Sequence, residues 1–207
     1  MRQCFSIGLF ALLVLSLPGC GGFRDTKPQL PGNLDTLCMP DYASGFEMYR
    51  YDSSTLLRIV NPWQGADSVS QWVFLSRDDE KPPKGFAGET IDVPVRRIVC
   101  MSSSYVAFLE ALGADSTICA ISGTGYIWSD KVRNRIAGGE IAEAGFDNSL
   151  NFEKLVALKP DVVFLYGLTG KNAVTDKLHE LGLKTVYIGD YVENNPLGRA
   201  EWITVFG

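Results

Sequence analysis

The sequence predicts an α/β protein, a doubly wound parallel four-stranded sheet preceded by a β-rich N-terminal extension. Three observations predict it. Residues 151–167, NFEKLVALKPDVVFLYG, read as a capped helix, a hard stop and a buried strand. From Arg96 onward, short β-branched apolar runs alternate with helical stretches that start at Ser or Asn and stop at Gly. Residues 38–94 carry β character instead.

Within the central stretch, Asn151 is an N-cap whose side-chain oxygen accepts from an otherwise orphan N–H of the first turn. Phe152, Leu155 and Val156 follow at i, i+3 and i+4 and form one apolar stripe. Pro160 lacks an N–H and drives Lys159 out of the right-handed helical region, so the helix ends there. Residues 162–166 are a continuous β-branched and aromatic run, the pattern of a strand covered on both faces. Such a strand needs flanking helices and parallel neighbours.

The rest of the chain supplies them. Residues 97–101 form a strand, and Ser102, Ser103 and Ser104 offer a hydroxyl cap for a helix carrying Val106, Leu109 and Leu112, ended by Gly113. Residues 117–121 form the second strand and open into the loop 122–128; a short helix starts near Ser129 and Asp130. After the central stretch, a helix over 172–181 stops at Gly182, and 185–188 is the fourth strand. Asn195-Pro196 is an N-cap followed by Pro at N1, and a last helix sets off through Ala200, Trp202 and Ile203. Upstream, residues 45–51 alternate apolar with polar, 56–60 return, and 71–76 form a third strand before a charged, proline-rich loop over 77–85. This meander has little core of its own and is expected to pack on the α/β part of the chain. Trp63 and Trp72 read as packing residues.

The first residues lie outside the fold. Met1-Arg2 precede an apolar run over 5–17, too short to span a bilayer, which ends in Leu17-Pro18-Gly19-Cys20. This resembles a bacterial lipoprotein signal, with residues 1–19 removed and Cys20 taking the lipid. Residues 20–37 read as a flexible tether, 38–94 as the β extension, 95–191 as the α/β lobe, and 192–207 as the start of a further helix. The expected location is the cell envelope. With 19 Lys and Arg against 24 Asp and Glu, and no basic cluster, the chain is not built for nucleic acid. Of five cysteines, Cys4 lies in the signal and Cys20 is the anchor; Cys38, Cys100 and Cys119 have no metal-type spacing. Cys100 and Cys119 read as small buried hydrophobes, and a disulfide among the three stays open in an oxidising compartment.

In a doubly wound sheet the ligand sits beyond the carboxyl ends of the strands. There stand residues 102–105, 123–128, 166–170 and 190–195, mostly hydroxyls, glycines and aromatics. Residues 167–172 fail as a phosphate loop, because Leu165 stands where the first Gly is needed and Asn172 where Ser or Thr would bind magnesium. Gly123-Thr124-Gly125 lacks the third glycine of a dinucleotide fingerprint. The single histidine, His179, lies beside Lys177 and Glu180 on what reads as a solvated face. A Ser–His pair is therefore disfavoured, and a metal site of several histidines cannot be built. No catalytic residue, cofactor or metal ligand is read, and the chain is not expected to be an enzyme.

From about Arg96 to Val205 the sequence resembles the first lobe of the substrate-binding proteins that serve ABC importers for iron chelates and cobalamin. The resemblance rests on residues 97–102 (RIVCMS), Leu112-Gly113-Ala114, residues 151–161 (NFEKLVALKPD) and the following VVFL. Residues 42–46 and 61–63 resemble the extra β segment of lipoprotein members. In that family two α/β lobes, joined by one long helix, hold the ligand between them. The resemblance implies a lipoprotein that delivers an iron siderophore, heme or cobalamin to an ABC permease. It implies ligand contacts for Tyr126, Tyr166 and Phe146, whose flat faces suit stacking on a large planar ligand, with Trp128, Tyr105 and Gly167 on the same loops. The helix start at Ser102–Ser104 is expected to donate to an anionic ligand edge. For Glu153 it implies permease docking, although a Glu in a first turn also complements the helix dipole unaided. An envelope binding or adhesion module without a transporter is the alternative, and an enzyme scaffold a third. On this resemblance the chain is expected to be a truncated receptor that binds ligand weakly, its last helix exposing Trp202, Ile203, Val205 and Phe206.

Overall fold

The computed structural model describes residues 34–146, 149–167 and 173–207. The signal, Cys20, nearly all of the tether, and residues 168–172 of the rejected phosphate loop lie outside the described residues. Among the described residues, no helix is long and apolar enough to cross a membrane.

Two five-stranded sheets are joined through one apolar core. The first holds β1 (Asp35–Cys38), β2 (Phe46–Tyr51), β3 (Ser54–Val60), β4 (Ser70–Ser76) and β5 (Glu89–Asp92) in that order. Its first four strands are antiparallel neighbours, and β5 joins β4 in parallel. The sequence shows β2, β3 and β4 by their alternation. It misses β1, which falls in the expected tether, and β5, which comes after the proline-rich loop; each is only four residues long.

The second sheet is parallel throughout, with order β10-β9-β6-β7-β8. Its strands are β6 (Ile98–Cys100), β7 (Ile118–Ile121), β8 (Ala142–Glu143), β9 (Val162–Leu165) and β10 (Thr185–Tyr187). The helices are α1 (Ser103–Ala111), α2 (Asp130–Ala137), α3 (Phe152–Leu158), α4 (Ala173–Glu180) and α5 (Pro196–Glu201). The four expected strands are present, and β8 adds a fifth at the edge. Two residues carry no periodicity, which is why the sequence does not reveal β8.

Both faces of the parallel sheet are covered. Val99, Val163 and Leu165 meet Leu155 of α3 and Leu178 of α4 on one side. Ile98, Cys100, Val162 and Phe164 meet Tyr105 and Leu109 of α1 on the other. That second cluster also contains Phe46, Leu57, Ile59, Val73 and Ile91, so the N-terminal sheet completes its core on the α/β unit. Gln71 of β4 reaches the outer edge of β10, donating Nε2–H to the Thr185 carbonyl and accepting from the Tyr187 N–H, each at 2.9 Å. Trp63 packs edge-on against Tyr187, while Trp72 stacks on Tyr49 under Arg58.

The Lys-Pro-Asp stop has a clear mechanism. Lys159 leaves the helix in the left-handed region, at φ +47°, and its N–H returns to the Val156 carbonyl. Asp161 then accepts from the N–H groups of Arg96 and Arg97, both at 2.8 Å, fixing the entry to β6 beside β9. Of the expected α3 stripe only Leu155 is buried, and Val156 faces outward. His179 is exposed, as the sequence predicts, and it also makes cross-element contacts. Its Nε2 lies 2.7 Å from Thr185 Oγ1 and 3.2 Å from Glu89 Oε1, tying α4 to β10 and β5. Cys38, Cys100 and Cys119 are free thiols, the last two buried.

The chain end corrects a further expectation. A helix does set off at Pro196, as expected, but it is short and Trp202 and Val205 are buried. A 3-10 turn (Asp190–Val192) leads to α5, which tightens into a second 3-10 turn (Trp202–Val205). Trp202 is fully buried against Phe46, and Phe206 stacks among Tyr105, Phe108 and Phe164. Cover comes from the N-terminal extension and α1, elements that precede these residues in the chain.

Two carboxylates hold this junction. Glu193, itself buried, accepts from the N–H groups of Ser44 and Gly45 at 3.0 and 2.9 Å and from the Trp202 indole at 3.1 Å. Glu201 accepts from the N–H groups of Asp41, Tyr42 and Ala43 at 2.9, 2.7 and 2.6 Å. Gly45 is required here, since a Cβ would sit 2.6 Å from the Trp202 ring. Replacing Glu193 by Ala strands the buried Trp202 indole and two part-buried N–H donors and is expected to cost about 3 kcal/mol in urea unfolding. Desolvation pushes the Glu201 carboxyl up, but the three N–H donors outweigh it and hold it below the usual range. Its contribution is therefore full above the unfolded glutamate pKa and lost as pH falls through the lower folded value. Acidification through that window should lower the unfolding midpoint of the wild type more than that of Glu201→Gln.

Candidate ligand-binding cleft

The parallel sheet reverses its strand order at β6. From β6 the chain proceeds to β7 and β8 on one side, then crosses to β9 and β10 on the other. The crevice above that reversal is where an open α/β sheet holds a ligand. A cleft of about 250 Å³ lies there. Met101, Ser102 and Ser103 enter it after β6, Ser122 and Tyr126 after β7, and Phe146 after β8. Tyr166 comes after β9, and Asp190 and Tyr191 after β10. A larger void of about 580 Å³ lies between the two sheets, lined by core side chains such as Met48, Leu57, Val73 and Phe164. Ile98, Val162 and Thr117 place it toward the amino ends of the parallel strands, away from the carboxyl ends where the cleft lies.

The polar floor is built at the start of α1. Ser102 caps the helix, its Oγ accepting from the Ser104 N–H at 3.3 Å and lying 2.9 Å from Ser104 Oγ. Asp190 is only 7% exposed, and burial pushes its carboxyl up. The nearby Ser104 hydroxyl and the N–H groups of Tyr191 and itself, together with Arg199, draw it down and offset only part of the rise. The Tyr191 hydroxyl donates to the Gly167 carbonyl and accepts from the Gln64 N–H at 3.3 Å.

The rim is aromatic. Tyr126 and Phe146 are 70% and 51% exposed. They flank Gly123, whose φ of +75° and close neighbours both demand glycine, since a Cβ would lie 2.8 Å from Tyr126 Cδ2 and 3.3 Å from Phe146 Cε1. Glu143 of β8 holds the two loops together. It accepts from the N–H groups of Gly123, Thr124 and Gly145 at 2.9, 2.8 and 3.0 Å, and from the Thr124 hydroxyl at 2.6 Å. Burial raises the Glu143 carboxyl, but these donors outweigh it and hold it below the ordinary value.

Ser102, Ser103, Tyr126, Phe146 and Tyr166 thus come together around one cleft. Ser104 stands one step behind, its hydroxyl 2.9 Å from Ser102 Oγ. Tyr105 does not belong to the cleft: it is fully buried, and its hydroxyl donates to the carbonyls of Leu165 and Ile188, both at 3.2 Å. In α1, Ser102 and Ser103 start the helix, and Tyr105 falls on its core face. Gly167 is likewise a packing position, bridged to Trp63, whose ring leaves no room for a Cβ. Trp128 is 92% exposed and outside the lining. Sequence reasoning missed Met101 and Ser122, and it placed Asp190 and Tyr191 at a strand end without singling them out as ligand contacts. Their position at strand ends was the available signal, but nothing in their neighbours marked their side chains as facing the cleft.

The reversal of strand order with a ligand-sized crevice above it defines a binding lobe of the doubly wound class. Residues 98–206, more than half of the chain, match the family model described as Periplasmic binding protein, and the chain belongs to that family. The uncharacterized lipoprotein MJ0878 of Methanocaldococcus jannaschii is 28% identical over 237 residues, which take in 100% of this chain and 56% of the relative. The chain therefore spans about half of that relative's length. Among solved structures, the FhuD protein from S. pseudintermedius aligns with a TM-score of 0.40 and 27% identity over 56% of this chain and 38% of that one. The periplasmic vitamin B12 binding protein BtuF of Vibrio cholerae aligns with a TM-score of 0.34 and 19% identity over 55% of this chain and 47% of that one. The family and the lipoprotein relative fit an extracytoplasmic setting.

Glu143→Ala should free four donors and loosen both aromatic loops. A loss of about 1–3 kcal/mol in stability is expected, with faster amide exchange at Gly123, Thr124 and Gly145 than elsewhere in the lobe. Uniform protection across the lobe would contradict the clamp.

Proposed function

We propose that this chain is the ligand-holding lobe of an envelope receptor that delivers an iron siderophore, heme or cobalamin to an ABC importer. One observation carries the reading: a cleft at the sheet's reversal point, rimmed by Tyr126, Phe146 and Tyr166 and floored by hydroxyls. Two of these rings are largely exposed, an arrangement suited to a broad, flat, mostly apolar partner. Lipid attachment at Cys20 would hold the receptor at the membrane. Glu153 lies exposed in the first turn of α3, outside the cleft lining, and is assigned to permease docking.

A corrinoid, heme or ferric chelate should quench intrinsic fluorescence on binding. Tyr166→Ala should weaken that binding by about tenfold, whereas Trp72→Phe, remote from the cleft, should leave it unchanged. Equal loss in both, or preferential binding of a sugar or amino acid, would remove the assignment.

Docking is tested separately. Glu153→Arg should leave ligand affinity unchanged and lower uptake in cells carrying the receptor and its importer, because a rim charge acts on partner association. Normal uptake would return Glu153 to the helix-dipole role.

A further inference from the structure

We propose that the cleft selects its ligand by charge: Asp190 makes it a site for electroneutral or cationic ligands bearing amide or hydroxyl donors, and sets it against polyanionic ones. The proposal rests on the assignment of the cleft to a large flat ligand, and it narrows the chemical class of that ligand.

Among the described residues that line the cleft, Asp190 carries the only ionisable acid or base group other than tyrosine hydroxyls, and neither Lys nor Arg is present. The start of α1 is the natural place for an anion, since its N–H groups and dipole favour negative charge. The Asp190 carboxylate lines the cleft together with Ser102 and Ser103, so an internal anion stands beside the helix start where an anionic ligand edge was expected. Arg199, the basic group that acts on Asp190, directs Nε to the Glu193 carbonyl and an Nη to the Tyr191 carbonyl, both at 3.3 Å.

A carboxylate only accepts, with about four lone-pair sites, so this one suits a ligand N–H or O–H. An anionic arm brought beside it meets a like charge in a site screened poorly by water. The surrounding groups reinforce the preference for donors: Ser102 and Ser122 hydroxyls can accept as readily as donate, and the chain as a whole carries a net charge of −5.

The test uses two probes with the same corrin ring. Dicyanocobinamide has peripheral arms ending in amides, and dicyanocobyrinic acid has arms ending in carboxylates. Binding of each to the purified 207-residue chain is measured by fluorescence quenching and calorimetry at neutral pH and physiological salt. The amide probe should bind at least about tenfold more tightly, and Asp190→Asn should shrink that preference to about threefold or less. Equal or tighter binding of the carboxylate probe overturns the charge inference and leaves the flat-ligand assignment standing. An undiminished preference in a folded Asp190→Asn protein overturns the role of Asp190. If that variant does not fold, the wild-type comparison decides. Binding of neither probe, with no binding of heme or a ferric chelate, overturns the inference together with the assignment on which it rests.

Discussion

Two glutamates from the last turns of the chain grip consecutive backbone N–H groups from Asp41 to Gly45, and the rest of the architecture depends on that grip. The N-terminal sheet has an apolar face but no second layer of its own. Its partner is the α/β unit, reached through Phe46, Leu57, Val73 and Ile91. Apolar contact is non-directional and does not by itself choose a register. The carboxylates do, because each oxygen must meet particular N–H groups, and a one-residue slip would leave part-buried donors and the buried Trp202 indole without partners. Trp202 joins both systems, donating to Glu193 while its ring packs on Phe46. Cover for the aromatic chain end and anchorage for the first sheet are thus one arrangement seen from two sides.

Much of the fold was legible because its signals are local. The run VVFL, the Ser and Asn caps, and the proline stop each act through covalent geometry or hydrogen bonds spanning a few residues. The missing parts were set by distant partners. β8 exists only because Ala142 and Glu143 meet Ala120 and Ile121. β5 pairs with β4 across a proline-rich loop. Trp202 and Phe206 read as uncovered because their cover lies before them in the chain, where a forward reading of helical periodicity does not look.

The cleft divides along the same line. Tyr126 and Tyr166 stood out as aromatics at strand ends once the strand–helix rhythm was known, whereas Phe146 was reached only through the family resemblance, because the two-residue β8 before it leaves no local signal. Tyr105 has the same chemistry and nearly the same position, yet α1 turns it into the core, because direction around a helix changes by about 100° per residue. Asp190 was passed over for the opposite reason. In the sequence it is one more acidic residue in a polar loop; its meaning comes from sharing the cleft lining with Ser102 and Ser103, a meeting of distant parts of the chain that no local pattern records.

Gln71 reaches from one sheet to the backbone edge of the other, and this has a consequence for how the molecule meets its neighbours. The exposed rim of a parallel sheet is an invitation to any extended segment that can add itself as another strand. Here a single carboxamide occupies the Thr185 carbonyl and the Tyr187 N–H, in the place such an intruder would need. On the opposite rim β8 is only two residues long and offers little template. Both margins of the sheet are therefore blunted from within, leaving recognition to the loops above it.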